Sequence, residues 1–368
     1  MPKRTGVILL ILLTLTIGLA SLITVNNNAS YPPFIPTTNL TLKNGVDNST
    51  SNLTNVLVLR SISINNYGIA IITDKFIVRN DGINSATFAD IFYPEDIWPK
   101  LLTYNAQSEN TPLTTQEIYS GGRNGTRVFF HKSLAPGENY TFTLTQYFDE
   151  TITTVEIPSF GSMAQFDFPA SPYSPYRTEE CNVSVKLPRD AEAFYSPLTY
   201  NITEVEPFDT SNLISILFYF EGGESIISLN AVYRQITVDP WMGITVTEFN
   251  IIENKGPSSL GKICIPAYPT IKFAAYDAAG QILAYPTSDG IIINTRYAVP
   301  PNGTYRYYVV YSVPIVIAQV GSSGFYLFAF NILPYYGGLI KNFYVSLIFS
   351  NFVDISFWSP PTIPISST

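Results

Sequence analysis

Apolar residues in this chain come in short runs that alternate with polar ones. Within residues 234–256, Ile236 and Val238 alternate with polar neighbours. Ile244 and Val246 do the same after an Asp-Pro-Trp-Met-Gly interruption. A period of two marks half-buried strands, and Asp239-Pro240 with Gly243 supplies turn chemistry, so the stretch predicts a hairpin. Residues 60–82 repeat the layout: an arginine, alternating apolar positions, an aromatic and a glycine in the turn, then a second strand. One stretch closes on Asn-Asp-Gly and the other on Asn-Lys-Gly. Arg60, Gly68, Arg234, Trp241 and Gly243 define this repeat.

The repeat continues past its first hairpin. Leu134-Ala135-Pro136-Gly137 leads into an alternating strand from Tyr140, and Val299-Pro300-Pro301-Asn302-Gly303 leads into another from Tyr305. Asn182-Val183-Ser184-Val185, followed by Phe194-Tyr195-Ser196-Pro197, is echoed by Tyr344-Val345-Ser346-Leu347, followed by Phe357-Trp358-Ser359-Pro360. Matched blocks in one order, about 160 to 175 residues apart, indicate duplicated domains; solenoid units are shorter, about 20 to 50 residues. Almost every apolar run is short and ends at Gly, Pro, Asn or Asp, which predicts an all-β chain of two tandem β-sandwiches. The expected boundaries are 53–232 for the first and 233–368 for the second, which is shortened at its C-terminal end. Residues 87–99 and 190–195 are the places where a short helix or turn is expected. The shortened copy is expected to leave a sheet edge unpaired, a docking or aggregation liability.

Residues 1–25 carry Lys3 and Arg4 ahead of an apolar run over 6–25, with Gly18-Leu19-Ala20 before Ser21. That is the pattern of a signal peptide, and the run is also long enough for a membrane anchor. Both readings place the rest of the chain outside a membrane, secreted or anchored by the N-terminal helix. Residues 26–52, rich in Asn, Thr, Ser and Pro, read as a disordered linker.

Composition narrows the function. Charged residues make up 13% of the chain, about half the usual share. The net charge of −8 and the absence of a basic stripe exclude a nucleic-acid interface. His131 is the single histidine, so a Ser-His-Asp triad would have to use a residue at a strand end. Asp149-Glu150 and Glu179-Glu180 are adjacent on strands and face opposite ways, so they form no carboxylate dyad. Metal-binding spacings and phosphate loops are absent from the sequence, and neither a cofactor nor a catalytic residue is expected. Two cysteines, Cys181 and Cys264, allow a disulfide outside the cell; two small buried side chains are the other reading. Glycan acceptor sequons occur at Asn28, Asn39, Asn48, Asn52, Asn124, Asn139, Asn182, Asn201 and Asn302. Tyr173, Tyr176, Tyr335 and Tyr336 flank proline-rich loops, where rings either stack on sugars or fill the sandwich ends.

Several blocks resemble the lumenal region of the ribophorin I family, the non-catalytic subunit of the oligosaccharyltransferase complex. They are the turn at Leu134–Gly137, the run Tyr173-Ser174-Pro175-Tyr176-Arg177-Thr178, and the pattern Arg234, Ile236, Val238, Trp241, Gly243, Ile244, Val246 and Glu248. Tyr308-Val309-Val310-Tyr311-Ser312-Val313-Pro314 and Ser359-Pro360 extend the resemblance, which covers about residues 53–360. Met242 is an insertion relative to the family pattern, and the family's C-terminal transmembrane helix has no counterpart. The resemblance implies a non-enzymatic accessory role in protein N-glycosylation at the outer face of a membrane. The implied partners are the membrane, an oligosaccharyltransferase catalytic subunit or other envelope proteins. A structural cell-envelope or surface-layer β-sandwich protein is the alternative that composition supports.

Overall fold

The structure is a computed structural model that describes residues 8–11, 52–239, 243–266, 272–288, 290–313, 317–320, 325–328, 336–349 and 354–357. It divides into one unit of residues 34–227 with 255–259, and another of 1–33, 228–254 and 260–368. Both are all-β, as the alternation predicts. A short strand, β1 (Ile8–Ile11), comes first in the chain and pairs within the second unit.

The first unit opens with β2 (Leu53–Ile64), β3 (Ala70–Asn80), β4 (Ala86–Phe92), β5 (Leu101–Ser108), β6 (Thr111–Pro112), β7 (Thr115–Ser120) and β8 (Arg123–Leu134). It continues with β9 (Asn139–Phe148), β10 (Ile152–Ile157), β11 (Gly161–Pro169), β12 (Thr178–Lys186), β13 (Ala191–Ala193), β14 (Thr199–Val205) and β15 (Leu213–Phe220). A seven-stranded sheet runs β14-β12-β2-β3-β9-β5-β6, a four-stranded sheet runs β10-β11-β15-β13, and a three-stranded sheet runs β4-β8-β7. Alternation buries Ala70, Ile72, Phe76 and Val78 of β3 on one face. Phe148 of the large sheet meets Phe168 of the four-stranded sheet at 5.0 Å between ring centres, and Phe130 of the small sheet meets Tyr140 at 4.4 Å. The three sheets thus share one apolar core, in which each fully buried large side chain contributes about 1.5–3 kcal/mol.

The second unit contains β16 (Ile227–Asp239), β17 (Gly243–Asn254), β18 (Leu260–Ile265), β19 (Lys272–Asp277), β20 (Gly280–Ile282) and β21 (Ala284–Pro286). After them come β22 (Ile291–Val299), β23 (Thr304–Val313), β24 (Ile317–Val320), β25 (Phe325–Phe328), β26 (Phe343–Phe349) and β27 (Asp354–Phe357). Its six-stranded sheet runs β20-β19-β23-β17-β16-β26, beside sheets β18-β22-β21 and β24-β25-β1-β27.

The order β12-β2-β3-β9-β5 of the first unit recurs as β26-β16-β17-β23-β19 in the second. Both contain one parallel pair, and the register agrees: Val183 stands opposite Arg60, and Val345 stands opposite Arg234. The turn after β3 recurs bond for bond after β17. Buried Asn80 donates its side-chain amide to the Leu134 carbonyl at 2.8 Å, and Asn254 donates to Val299 at 2.9 Å. Gly137 N–H donates to the Asn80 carbonyl and Asn302 N–H to the Asn254 carbonyl, both at 2.7 Å. Gly137 and Asn302 both have left-handed backbone, φ 79° and 60°, which only glycine and a few polar residues adopt readily.

The copies differ at two places. In the first unit β14 pairs along the outer edge of β12, whereas β26 ends its sheet among the described residues. In the four-stranded sheets, β15 lies antiparallel between β11 and β13, while β1 lies parallel between β25 and β27. The short helix or turn expected within 87–99 and 190–195 occupies only part of each segment. Ala86–Phe92 pairs with β8, Ala191–Ala193 pairs with β15, and the first segment ends in a 3₁₀ turn at Trp98–Lys100, entered through Pro99. No helix among the described residues is long and apolar enough to cross a membrane. Residues 1–7, 12–25 and most of the expected linker lie outside the described residues.

Candidate functional site

The repeat-defining arginines converge on matched positions. Arg60 of β2 donates through Nε and Nη2 to the two oxygens of Asp74 on β3, at 2.7 and 2.8 Å. Asp74 stands directly across the strand pair. The remaining Arg60 nitrogen, Nη1, donates to the Pro169 carbonyl of the facing sheet at 2.8 Å, and Gln146 of β9 donates to Asp74 at 3.2 Å. In the second unit Arg234 of β16 meets Glu248 of β17 at 3.1 Å, and the Tyr311 hydroxyl of β23 donates to Glu248 at 2.6 Å. The Tyr336 hydroxyl sits 3.0 Å from the other Glu248 oxygen and 2.9 Å from Asn250 Oδ1. Gln146 pairs with Ile72 and Tyr311 with Val246, so the third group enters from the same place in both copies.

Both ion pairs are buried: the arginine side chains are 4% exposed and the carboxylates 0%. Burial opposes the Arg60 charge, yet neighbouring Asp74 outweighs it and holds the guanidinium pKa above its ordinary value. Burial, then the adjacent Glu248 charge, pushes the Tyr307 hydroxyl well up. Tyr104 is pushed up to about 12, by burial first and by Glu117 second. Neither carboxylate faces solvent, and both oxygens of Asp74 already accept hydrogen bonds. Each network therefore ties neighbouring strands of its sheet together, and in the first the Arg60 nitrogens and both Asp74 oxygens are hydrogen-bonded, as a buried pair needs to be tolerated.

The other residues singled out from the sequence are dispersed. Gly68, φ 76°, closes the β2–β3 turn, where an added Cβ would meet Ile226 Cγ2 at 3.2 Å. Gly243, φ 94°, opens β17, and Trp241 lies outside the described residues. His131 is exposed on β8, its backbone N–H donating to the Tyr140 hydroxyl at 3.4 Å. Glu179 pairs with Arg79 at 2.9 Å, whereas Glu180 accepts from Asn182 at 2.8 Å, so the adjacent acids do face opposite ways. The disulfide between Cys181 and Cys264 is not formed. The two thiols lie on β12 and β18 of different units, and Cys181 is buried against the Ala170 carbonyl. Burial pushes the Cys181 thiol up to about 11. No group of three metal-ligating side chains occurs among the described residues.

Among the sequons, Asn52, Asn139, Asn201 and Asn302 are exposed, Asn124 is half-buried within β8, and Asn28, Asn39 and Asn48 lie outside the described residues. Asn182 and Asn201 face each other across β12 and β14 and are joined by a 2.9 Å hydrogen bond. The loop tyrosines pack into the fold: Tyr176 is buried with its hydroxyl accepting from Asp90 N–H, and Tyr173 accepts from Arg123 and meets Phe208 edge to face. Tyr336 belongs to the Glu248 network, and Tyr335 lies outside the described residues. Sequence reasoning missed the exposed aromatics. Phe160 and Tyr195 are exposed and each meets half-buried Phe194 edge to face, with ring centres 4.8 and 4.7 Å apart, Tyr195 being 91% exposed with φ 52°. Tyr233 and Tyr344 stack at 4.7 Å on the second unit.

No protein-family model matches the chain, and no curated protein matches it. Among solved structures, yeast leukotriene A4 hydrolase in complex with bestatin is 8% identical over 47% of this chain and 29% of that one, with a TM-score of 0.30. The native hydrolase from Saccharomyces cerevisiae is 8% identical over 46% and 30%, with a TM-score of 0.33. An aminopeptidase N family protein from Idiomarina loihiensis is 9% identical over 50% and 31%, with a TM-score of 0.26. The chain spans less than a third of the length of these enzymes, and similarity at this level carries no functional argument.

Proposed function

We propose that the chain is a non-catalytic accessory protein at the outer face of a membrane, acting in protein N-glycosylation as its resemblance to ribophorin I implies. The observation that carries this reading is how its buried charges are used. In each copy an arginine and a carboxylate are locked together inside the sheet, and the acids and histidine weighed as catalytic are dispersed. A duplicated scaffold of this kind offers surfaces for holding a partner or substrate near a membrane enzyme. Co-purification with the native tagged protein tests it: an oligosaccharyltransferase catalytic subunit should be recovered, and its absence under conditions that retain other membrane complexes would overturn the role.

The second reading, a structural envelope protein, is favoured by one observation, the uncharged outer strand β26 with a partner on one side among the described residues. A building block should dominate an envelope extract, whereas an accessory subunit should be scarce in it.

A further inference from the structure

Strand β26 breaks the precautions that sheet edges usually carry. Outer strands are commonly protected by charges, prolines, bulges or a covering segment, because every second N–H and C=O points outward and can pair with another chain. In the first unit, the corresponding strand β12 contains Glu179, Glu180 and Lys186 and is covered by β14 along its outer edge. Strand β26 reads Phe-Tyr-Val-Ser-Leu-Ile-Phe, with no charge, proline or glycine. It pairs in parallel with β16 on one side and ends the sheet among the described residues. Tyr344 is 52% exposed and Ile348 43%, and Tyr344 stacks on exposed Tyr233 of β16.

The order of residue types in β26 says what fits this edge. Read from either end it runs phenylalanine, a bulky side chain (Tyr344 or Ile348), a branched aliphatic one (Val345 or Leu347) and then Ser346 at the centre. An antiparallel pair of two such strands in register about Ser346 puts Tyr344 opposite Ile348 twice, Val345 opposite Leu347 twice, and serine opposite serine. Aromatic–aliphatic cross-strand pairs of this kind are stabilising. A two-fold contact requires this self-complementarity, in which residue i meets j and j meets i. Without charges, the strand also brings no like-charge repulsion to a second copy of itself.

We propose that β26 pairs edge to edge with β26 of a second copy of this chain, antiparallel about Ser346, to give a two-fold dimer. This rests on the edge alone and holds or fails independently of the accessory role.

Site-directed cross-linking of the full chain tests it, in a Cys264→Ser background that removes the half-buried thiol. In this register the two thiols of Ser346→Cys sit on Cα atoms about 4.5–5.5 Å apart, within disulfide reach. Those of Tyr344→Cys lie about 14 Å apart, four residues of strand rise. Mild oxidation should give a covalent dimer for Ser346→Cys and leave Tyr344→Cys monomeric. Sedimentation should show the wild-type chain as a dimer and Tyr344→Lys with Ile348→Lys as a monomer with an unchanged β-sheet circular dichroism spectrum. Equal cross-linking at both positions would mean random collision and would overturn the proposal. A wild-type monomer would overturn it too, whether β26 amides exchange freely or are protected by another segment of the chain.

Discussion

In the first unit a short acid, Asp74, meets Arg60 through two oxygens, and an amide from Gln146 closes the site. In the second a longer acid, Glu248, meets Arg234 at 3.1 Å, and the phenol of Tyr311 takes the place of the amide. Strand order, register and the asparagine-anchored turn are the same around both. The comparison separates what the fold demands from how it is met. The demand is a buried cation joined to a buried anion across the central hairpin, with a donor from the next strand. The chemistry that meets it varies by a methylene and by the choice of amide or hydroxyl.

The largest effect should come from breaking either pair. Asp74→Ala leaves the Arg60 guanidinium buried without its anion, and Glu248→Ala does the same to Arg234. Removing one partner of a buried pair costs about 3–5 kcal/mol, to be read as a lower midpoint in urea unfolding of the full chain. If either substitution were neutral, the equivalence of the two networks would fail.

A smaller effect concerns pH at one matched position. Arg296 N–H donates to the Tyr305 hydroxyl as His131 N–H does to Tyr140, but Arg296 also forms a 2.8 Å pair with Asp277. The hydrogen bond from Arg296 lowers the Asp277 pKa from 3.8 to about 2. A lowered carboxylate pKa contributes stability above its unfolded value and loses it as pH falls through the folded one. The second unit should therefore weaken as pH drops from 3.8 toward about 2. Asp277→Asn should flatten that part of the profile, measured as the unfolding midpoint against pH.

The smallest effect concerns the matched turns. Asn302 already occupies, at φ 60°, the place Gly137 holds at φ 79°, and nothing lies within 4 Å of a Cβ built on Gly137. Gly137→Asn should change stability by no more than about 0.5 kcal/mol, whereas Gly137→Val should cost more because a branched side chain resists this backbone. Thermal unfolding of the two variants checks the ranking.

The hairpins, the all-β class and the duplication were legible in the sequence because each rests on local alternation and turn residues. Arg60 and Arg234 were visible as repeat markers, and Asn80 and Asn254 as hairpin ends. Their partners were harder to see. Asp74 and Glu248 stand fourteen residues after their arginines in both copies, a regularity that the difference between Asp and Glu concealed. Gln146 and Tyr311 share no residue type, so only the strand register reveals that they do the same work. The loop tyrosines left two readings open from the sequence, sugar stacking or filling the sandwich ends, because prolines flank them. Tyr173, Tyr176 and Tyr336 pack inward because their hydroxyls find partners there. The 87–99 segment looked ambiguous because its pairing with β8 is long-range.

Each copy is held by its own Arg–carboxylate network. Hydrogen exchange read by mass spectrometry on Asp74→Ala and Glu248→Ala tests it most directly. Asp74→Ala should lose protection across β2, β3, β9 and β12 while β16, β17 and β23 keep theirs, and Glu248→Ala should do the reverse. Loss spread evenly over both units in either variant, or in neither, would contradict the claim.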